Sequence, residues 1–129
     1  MSTTGATLGS FMASPIPLAV SKTANYVVTA ADNGTVFDNS GASTTAIVFT
    51  LPTLAAGLFY EFQGIDNGSI TIASALGSDM VTFNDVGANS IASSTSSEKI
   101  GSRLFVRSNA AGTKWYCGRR SSTTVTVAT

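Results

Sequence analysis

The chain has 129 residues, of which only 11% are charged, and its seven acids balance seven bases with no histidine. Soluble globular domains carry about 25% charged residues, so a surface this poor in charge indicates that other protein covers much of it. The length fits one domain with one core. Zero net charge argues against a nucleic-acid binder, and the missing histidine removes a main tool of catalysis.

Residues 1–24 form the first of three predicted zones, an extended N-terminal arm rich in Ser, Thr, Gly and Ala. Two closely spaced prolines disfavour a helix in this arm. A purely solvated tail has no need of the apolar side chains of Phe11, Ile16 and Leu18. The arm is therefore either disordered on its own or docked on a neighbouring subunit, and these three residues favour docking.

The apolar stretch of the arm does not fit an export signal. No basic residue precedes it and the prolines interrupt it, whereas a signal peptide has a charged start and an unbroken apolar centre. No run approaches the roughly 20 apolar residues of a membrane helix. We expect a protein that is made and assembled in the cytoplasm, with no membrane partner.

The body, residues 25–117, is predicted to consist of short strands. Segment 26–30 is rich in β-branched and aromatic residues, and Asp32-Asn33-Gly34 ends it with a turn. Segment 35–37 follows at hairpin spacing, and Asn-Gly readily takes the positive φ values of a type I′ turn. These segments are predicted to form a hairpin.

Strict alternation predicts which faces of the next strands are buried. Segment 46–51 places Ile47, Phe49 and Leu51 on one face, and segment 58–63 places Leu58, Tyr60 and Phe62 opposite Phe59, Glu61 and Gln63. Further strands are predicted at 69–72, 80–83, 90–92, 103–107 and 113–117. This spacing indicates an all-β fold, a compact antiparallel β-sandwich or jelly-roll-like barrel.

The third zone, residues 118–129, begins with a loop and then alternates Thr and Val at 123–127. The alternation predicts a strand. This strand either closes the domain's own sheet or adds to the edge of a neighbour's sheet.

The two Asp-Asn-Gly turns, at Asp32 and Asp66, are the first candidates for chemistry. They lack the alternating oxygen ligands and final Glu of a calcium loop. Asn33 and Asn67 match the N-glycosylation pattern, which carries little weight without a secretory signal. We interpret both segments as structural turns, and no metal or cofactor is predicted.

Three further candidates for catalysis are weak. Glu61 with an Asp could support glycoside hydrolysis, but nothing in the sequence brings two acids to one cleft. Ser96-Ser97-Glu98-Lys99 matches Ser-x-x-Lys, but it lies in a Ser-rich run without helical periodicity. Cys117 has no histidine to act as its base, so we predict a buried structural cysteine. The chain is predicted not to be an enzyme.

Aromatic residues on the second face of the predicted strands point to assembly instead. If one face fills the core, Phe59, Phe105 and Tyr116 on the other face need a second sheet or another subunit to cover them. Together with Phe11, Ile16 and Leu18 of the arm, they form the predicted assembly interface.

The order of motifs resembles a family of small phage virion proteins. The resemblance rests on Tyr-Val-Val-Thr-Ala-Ala-Asp-Asn-Gly-Thr-Val-Phe-Asp-Asn at 26–39, Phe-Thr-Leu-Pro at 49–52, Gly-Leu-Phe-Tyr-Glu-Phe at 57–62, Ile-Thr-Ile at 70–72 and Lys-Trp-Tyr at 114–116. It is similar to modules of capsid decoration proteins, head fibres and tail fibres.

The resemblance implies a homotrimer that acts by binding. The expected function is a capsid decoration or cement protein in the virion, with the major capsid protein as its partner. One alternative is a tail-fibre or tailspike module that binds host-surface glycan through exposed aromatic residues such as Phe59 or Tyr116. A third class is a hydrolase that uses Glu61 with an Asp.

Overall fold

The computed structural model of the protein describes residues 18–129, which contain twelve β-strands and a short 3-10 helix. The first six strands are β1 (Ala19–Ser21), β2 (Tyr26–Val27), β3 (Val36–Asp38), β4 (Ile47–Thr50), β5 (Phe59–Gln63) and β6 (Ile70–Ala73). The others are β7 (Met80–Thr82), β8 (Asp85–Ala88), β9 (Ser90–Ser93), β10 (Arg103–Ser108), β11 (Trp115–Arg119) and β12 (Thr126–Ala128). Phe11 and Ile16 lie outside the described residues.

Two sheets pack face to face around one core, so the all-β sandwich predicted from the sequence is confirmed. The seven-stranded sheet has the order β1-β3-β5-β10-β11-β7-β8, and the five-stranded sheet has the order β12-β9-β6-β4-β2. The sheets are mixed rather than purely antiparallel. The pairs β1–β3, β3–β5, β7–β11, β2–β4 and β4–β6 are all parallel.

The first half of the chain, from β1 to β6, alternates between the two sheets and so winds around the core. We call this winding path the coil. Odd-numbered strands β1, β3 and β5 are neighbours in one sheet, while β2, β4 and β6 are neighbours in the other. Each connection in this half therefore crosses from one sheet to the other. This crossing accounts for the parallel pairs, because successive strands of one sheet enter from the same side.

The hairpin predicted at Asp32-Asn33-Gly34 is wrong, because β2 and β3 lie in different sheets. The turn is a corner between the sheets. Asn33 has φ −50° and ψ 131°, Gly34 has φ 85°, and the Thr35 amide donates to the Asp32 carbonyl at 2.9 Å. These values describe a type II turn, in which glycine supplies the positive φ.

The core confirms the predicted alternation. Ile47, Phe49 and Leu51 are buried, and so are Tyr60 and Phe62. The rings of Phe37, Phe49 and Phe62 pack together with centroids 5.0 to 5.7 Å apart, in the middle of the sandwich. Both sheets thus bury only their inner faces against each other.

The buried side chain of Asn39 holds a second corner, the loop that follows β5. The Asn39 side chain is fully buried and accepts from the amides of Ile65 and Asp66 at 2.7 and 2.9 Å. Its amide group also donates to the carbonyls of Asp66 and Gly68 at 3.2 Å each. The loop after β5 is therefore held by a side chain from the preceding turn of the coil.

A strand lies near each end of the described chain. Strand β1 lies within the segment predicted as an arm, at the edge of the seven-stranded sheet. Strand β12 pairs with β9, so the C-terminal segment closes the domain's own sheet. Strand β8, which the sequence pattern does not predict, completes a hairpin with β7. Within residues 18–129, no helix is long and apolar enough to cross a membrane.

Candidate interaction surface on the seven-stranded sheet

The structure brings three of the six predicted interface residues together. Phe59 lies on β5, Phe105 on β10 and Tyr116 on β11, and these strands are neighbours in the seven-stranded sheet. Arg107 lies directly opposite Phe59 on one side and Tyr116 on the other. Directly paired residues project from the same face of a sheet, so these side chains share the outer face.

Alternation along each strand explains why the rings face outward. Tyr60, Val106 and Trp115 point into the core and are fully buried, so the intervening residues must point away from it. The Tyr116 side chain is 56% exposed as a result. The fold has no second layer over this face within residues 18–129.

Gly118 allows the Phe105 ring to lie flat across β11. The two residues are directly opposite, and a Cβ atom at Gly118 would stand only 3.0 Å from the ring. Packing of an aromatic ring over a glycine on the next strand is a known stabilising arrangement in sheets. The Phe105 and Tyr116 rings are 6.4 Å apart, with 33° between their planes.

Arg120 connects the rings to a buried carboxylate. Its guanidinium lies 4.9 Å from the centroid of Phe105 and 5.9 Å from that of Phe59. Its Nε contacts Glu61 Oε1 at 3.4 Å, while Arg103 Nη2 contacts Glu61 Oε2 at 3.1 Å. Cation–π contacts and ion pairs together therefore hold Arg120 against the face.

Glu61, the acid proposed for hydrolysis, is committed to these contacts. The residue is only 7% exposed, and Gln63 Nε2 donates to Glu61 Oε2 at 3.0 Å. Two arginines and one amide thus surround the carboxylate, which satisfies a buried charge. We interpret Glu61 as the structural anchor of the arginines.

An open cleft of about 430 Å³ lies among these side chains. Its lining comprises Phe59, Phe105, Arg107, Ser108, Asn109, Ala110, Tyr116 and Arg120. We call Phe59, Phe105, Arg107, Tyr116 and Arg120 the aromatic–arginine cluster. Rings and guanidinium groups of this kind are enriched where proteins bind other proteins.

Leu18 also belongs to the predicted interface, but it lies outside the cleft. It precedes β1 at the edge of the same sheet, and its side chain is 68% exposed. The predicted contacts of Phe11 and Ile16 fall on residues that the structure does not describe. The cluster therefore lies on β5, β10 and β11 and on Arg120, which directly follows β11.

The acids of the Asp-Asn-Gly segments hold corners together. Asp32 Oδ2 accepts from the Tyr26 hydroxyl at 2.8 Å and the Thr29 amide at 3.0 Å. Partial burial raises the pKa of Asp32, but these hydrogen bonds and nearby Lys22 outweigh it and leave the pKa lowered. Asp66 Oδ2 accepts from two backbone amides across the next corner. Both carboxylates act as structural acceptors.

The other candidates from the sequence are Asn33, residues 96–99 and Cys117, and the structure shows the surroundings of each. The Asn33 side chain bonds to the Phe59 amide and the Gly57 carbonyl. Residues 96–99 lie in turns and bends rather than on a helix, so the geometry of the Ser-x-x-Lys motif is not formed. Cys117 is buried, and burial together with the charge of Asp79 raises the pKa of its thiol. Residues 18–129 bring no three potential metal ligands together.

Sequence reasoning missed the roles of Arg107, Arg120 and Gly118. The signal for Arg107 was the alternation of Arg103, Phe105 and Arg107 on one face of a strand. The position of Gly118 beneath a ring depends on strand register, for which the sequence carried no signal.

Comparisons with known proteins give no relative from which a function could be transferred. Neither protein-family models, nor curated protein sequences, nor solved structures yielded a significant match. The aromatic–arginine cluster must therefore be interpreted from its own chemistry.

Proposed function

We propose that the chain is a structural virion protein, a capsid decoration or cement protein that binds a phage head as a homotrimer. The observation that carries the proposal is the aromatic–arginine cluster on the open face of the seven-stranded sheet. The sandwich covers only the inner faces of its sheets, so this outer face is available to a shell protein or another copy of the chain. The low charge of the whole chain supports the same interpretation.

The proposed mechanism is binding linked to assembly. A protein that binds the assembled shell but not its separated subunits lowers the free energy of the shell and so stabilises it. Phe59, Phe105 and Tyr116 would act as rigid apolar anchors, because aromatic side chains lose little conformational entropy when they are covered. Such a function requires no catalytic group.

Glycan binding by a tail-fibre or tailspike module is the second candidate. The cleft of about 430 Å³ supports it, since small-ligand sites usually measure about 300–1,000 Å³ and combine apolar walls with a few polar groups. A glycan array with wild-type protein and Tyr116→Ala tests this candidate. A signal that disappears with Tyr116→Ala would favour it over head binding.

Pelleting with phage heads tests the leading proposal. Wild-type protein should sediment with heads that were assembled without it, and Phe105→Ala and Tyr116→Ala should each weaken binding at least tenfold. Leu76→Ala is the matched control, because Leu76 is 86% exposed but lies outside the cluster. Failure of wild-type protein to sediment with heads would contradict the proposal.

A further inference from the structure

Arg107 differs from the other arginines because its charge has no partner within residues 18–129. Arg103 and Arg120 both contact Glu61, and Arg119 donates to the Thr123 carbonyl at 2.7 Å. The Arg107 side chain forms no hydrogen bond or ion pair in this part of the chain. Arg107 is also exposed.

The polar neighbours of Arg107 in the cleft are already used. The Ser108 hydroxyl donates to the Leu58 carbonyl and accepts from the Leu58 amide. The Asn109 side chain is bonded to Thr113 and Lys114. The cleft therefore presents the Arg107 guanidinium, which no group of residues 18–129 pairs, framed by the rings of Phe59, Phe105 and Tyr116.

Two further apolar side chains lie on the same outer face as the cleft. Val81 lies directly opposite Tyr116, and Val36 lies directly opposite Glu61, so both valines project from the outer face. The outer face thus extends over β3, β5, β10, β11 and β7, wider than a single saccharide needs. A protein surface fits this extent better than a small ligand does.

We propose that Arg107 receives a carboxylate from the partner protein: an Asp or Glu side chain of the assembled shell, flanked by apolar surface. This inference rests on the proposed function. A guanidinium binds a carboxylate through two parallel hydrogen bonds. Rings that exclude water around such a pair strengthen it, and the pair fixes the orientation of the two surfaces.

Head-binding affinity of Arg107 variants tests the inference. Arg107→Gln should weaken binding by about 30-fold or more, since it leaves the partner's carboxylate unpaired. Arg107→Lys should retain part of the affinity, because it keeps the charge but loses the paired geometry. Lys99→Gln removes the same charge at a position outside the cleft and should bind like wild type. Thermal unfolding of each variant confirms that it is folded.

The outcomes separate the inference from the proposed function. If wild-type protein binds heads and Arg107→Gln binds equally well, the inference is overturned and the proposed function stands. If wild-type protein does not bind heads, both are overturned. If wild-type protein fails to bind heads but binds oligogalacturonate and not a neutral galacto-oligosaccharide, and this binding is lost in Arg107→Gln, the carboxylate belongs to a sugar and the assignment to a protein side chain is overturned.

Discussion

Phe83 occupies a backbone conformation that bulky side chains rarely adopt. It begins the turn between β7 and β8, with φ 43°, and Asn84 follows with φ 68°. Two positive φ values are typical of a type I′ hairpin turn, which favours Asn, Asp or Gly at both positions. The Phe83 ring is 47% exposed, so burial offsets only part of a strain of about 1–3 kcal/mol.

Phe83→Asn should therefore raise the free energy of unfolding by about 1 kcal/mol. Urea denaturation followed by circular dichroism measures this change. Phe83→Leu is the control, because a leucine keeps the unfavourable φ and should give no gain. Equal or lower stability of Phe83→Asn would show that the turn is not strained.

Tyr60 makes the stability of the fold depend on pH in the alkaline range. Burial, with a smaller contribution from the charge of Asp32, raises the pKa of Tyr60 to about 12 from an ordinary 10.0. The folded state holds the phenol proton more tightly than the unfolded state does. This contribution to stability is therefore complete below about pH 10 and is lost as the pH rises toward about 12.

Tyr60→Phe should flatten the loss of stability between about pH 10 and pH 12. At neutral pH the variant should be about 1 kcal/mol less stable than wild type, because the Tyr60 hydroxyl donates to the Thr29 carbonyl at 2.9 Å. Urea unfolding at neutral pH and between about pH 10 and pH 12 measures both effects. A wild-type pH profile in the variant would contradict the assignment to Tyr60.

At the scale of elements, the corners of the coil depend on side chains more than on turn type. Asn39→Ala removes four hydrogen bonds to the loop at residues 65–68. Buried and partly buried backbone groups would lose their partners, so we expect a destabilisation of about 3 kcal/mol. Asn67→Ala is the matched control in the same loop, because Asn67 is exposed, and its effect should stay within about 0.5 kcal/mol.

Thermal or urea unfolding of the two asparagine variants measures this difference. Similar stabilities for Asn39→Ala and Asn67→Ala would mean that the loop is held by backbone contacts alone.

Most of the strands were predictable from the sequence, but their partners were not. Alternation at 46–51 and 58–63 reflects burial of one face, and the structure buries those side chains. The Asn-Gly dipeptide supports both a hairpin turn and a type II corner. The choice at Asn33-Gly34 depends on contacts with β5, such as the bond from the Phe59 amide to Asn33 Oδ1, which come from residues distant in sequence.

Strand β8 was missed for a local reason. Its sequence, Asp-Val-Gly-Ala, has little β-branched or aromatic character. It forms because the turn at Phe83 and Asn84 directs it back along β7. Tertiary contacts and the turn thus override weak local propensity.

At the scale of the whole molecule, the sequence predicted which face carries the rings but not that they meet. Phe59 and Phe105 are far apart in the chain and become neighbours only because β5 pairs with β10. The same register of β5, β10 and β11 places Arg107 between Phe59 and Tyr116. The alternation of residues along a strand predicts which side chains share a face. The distances between side chains on different strands follow only from the strand pairing.

Self-association is a separate prediction at this scale. If copies of the chain cover one another, the purified protein should have three times the mass of one chain in sedimentation equilibrium. Dissociation on dilution should be reversible. A mass of one chain at every concentration tested would contradict the proposed homotrimer.

The central claim is that a partner covers the outer face of the seven-stranded sheet. A cryo-electron microscopy reconstruction of heads with the protein bound tests it most directly. We predict that β5, β10 and β11 face the shell or an adjoining copy, with Tyr116 and Arg107 in the contact. A reconstruction in which this face is open to solvent, or in which only the outer face of the five-stranded sheet makes contact, would contradict the claim.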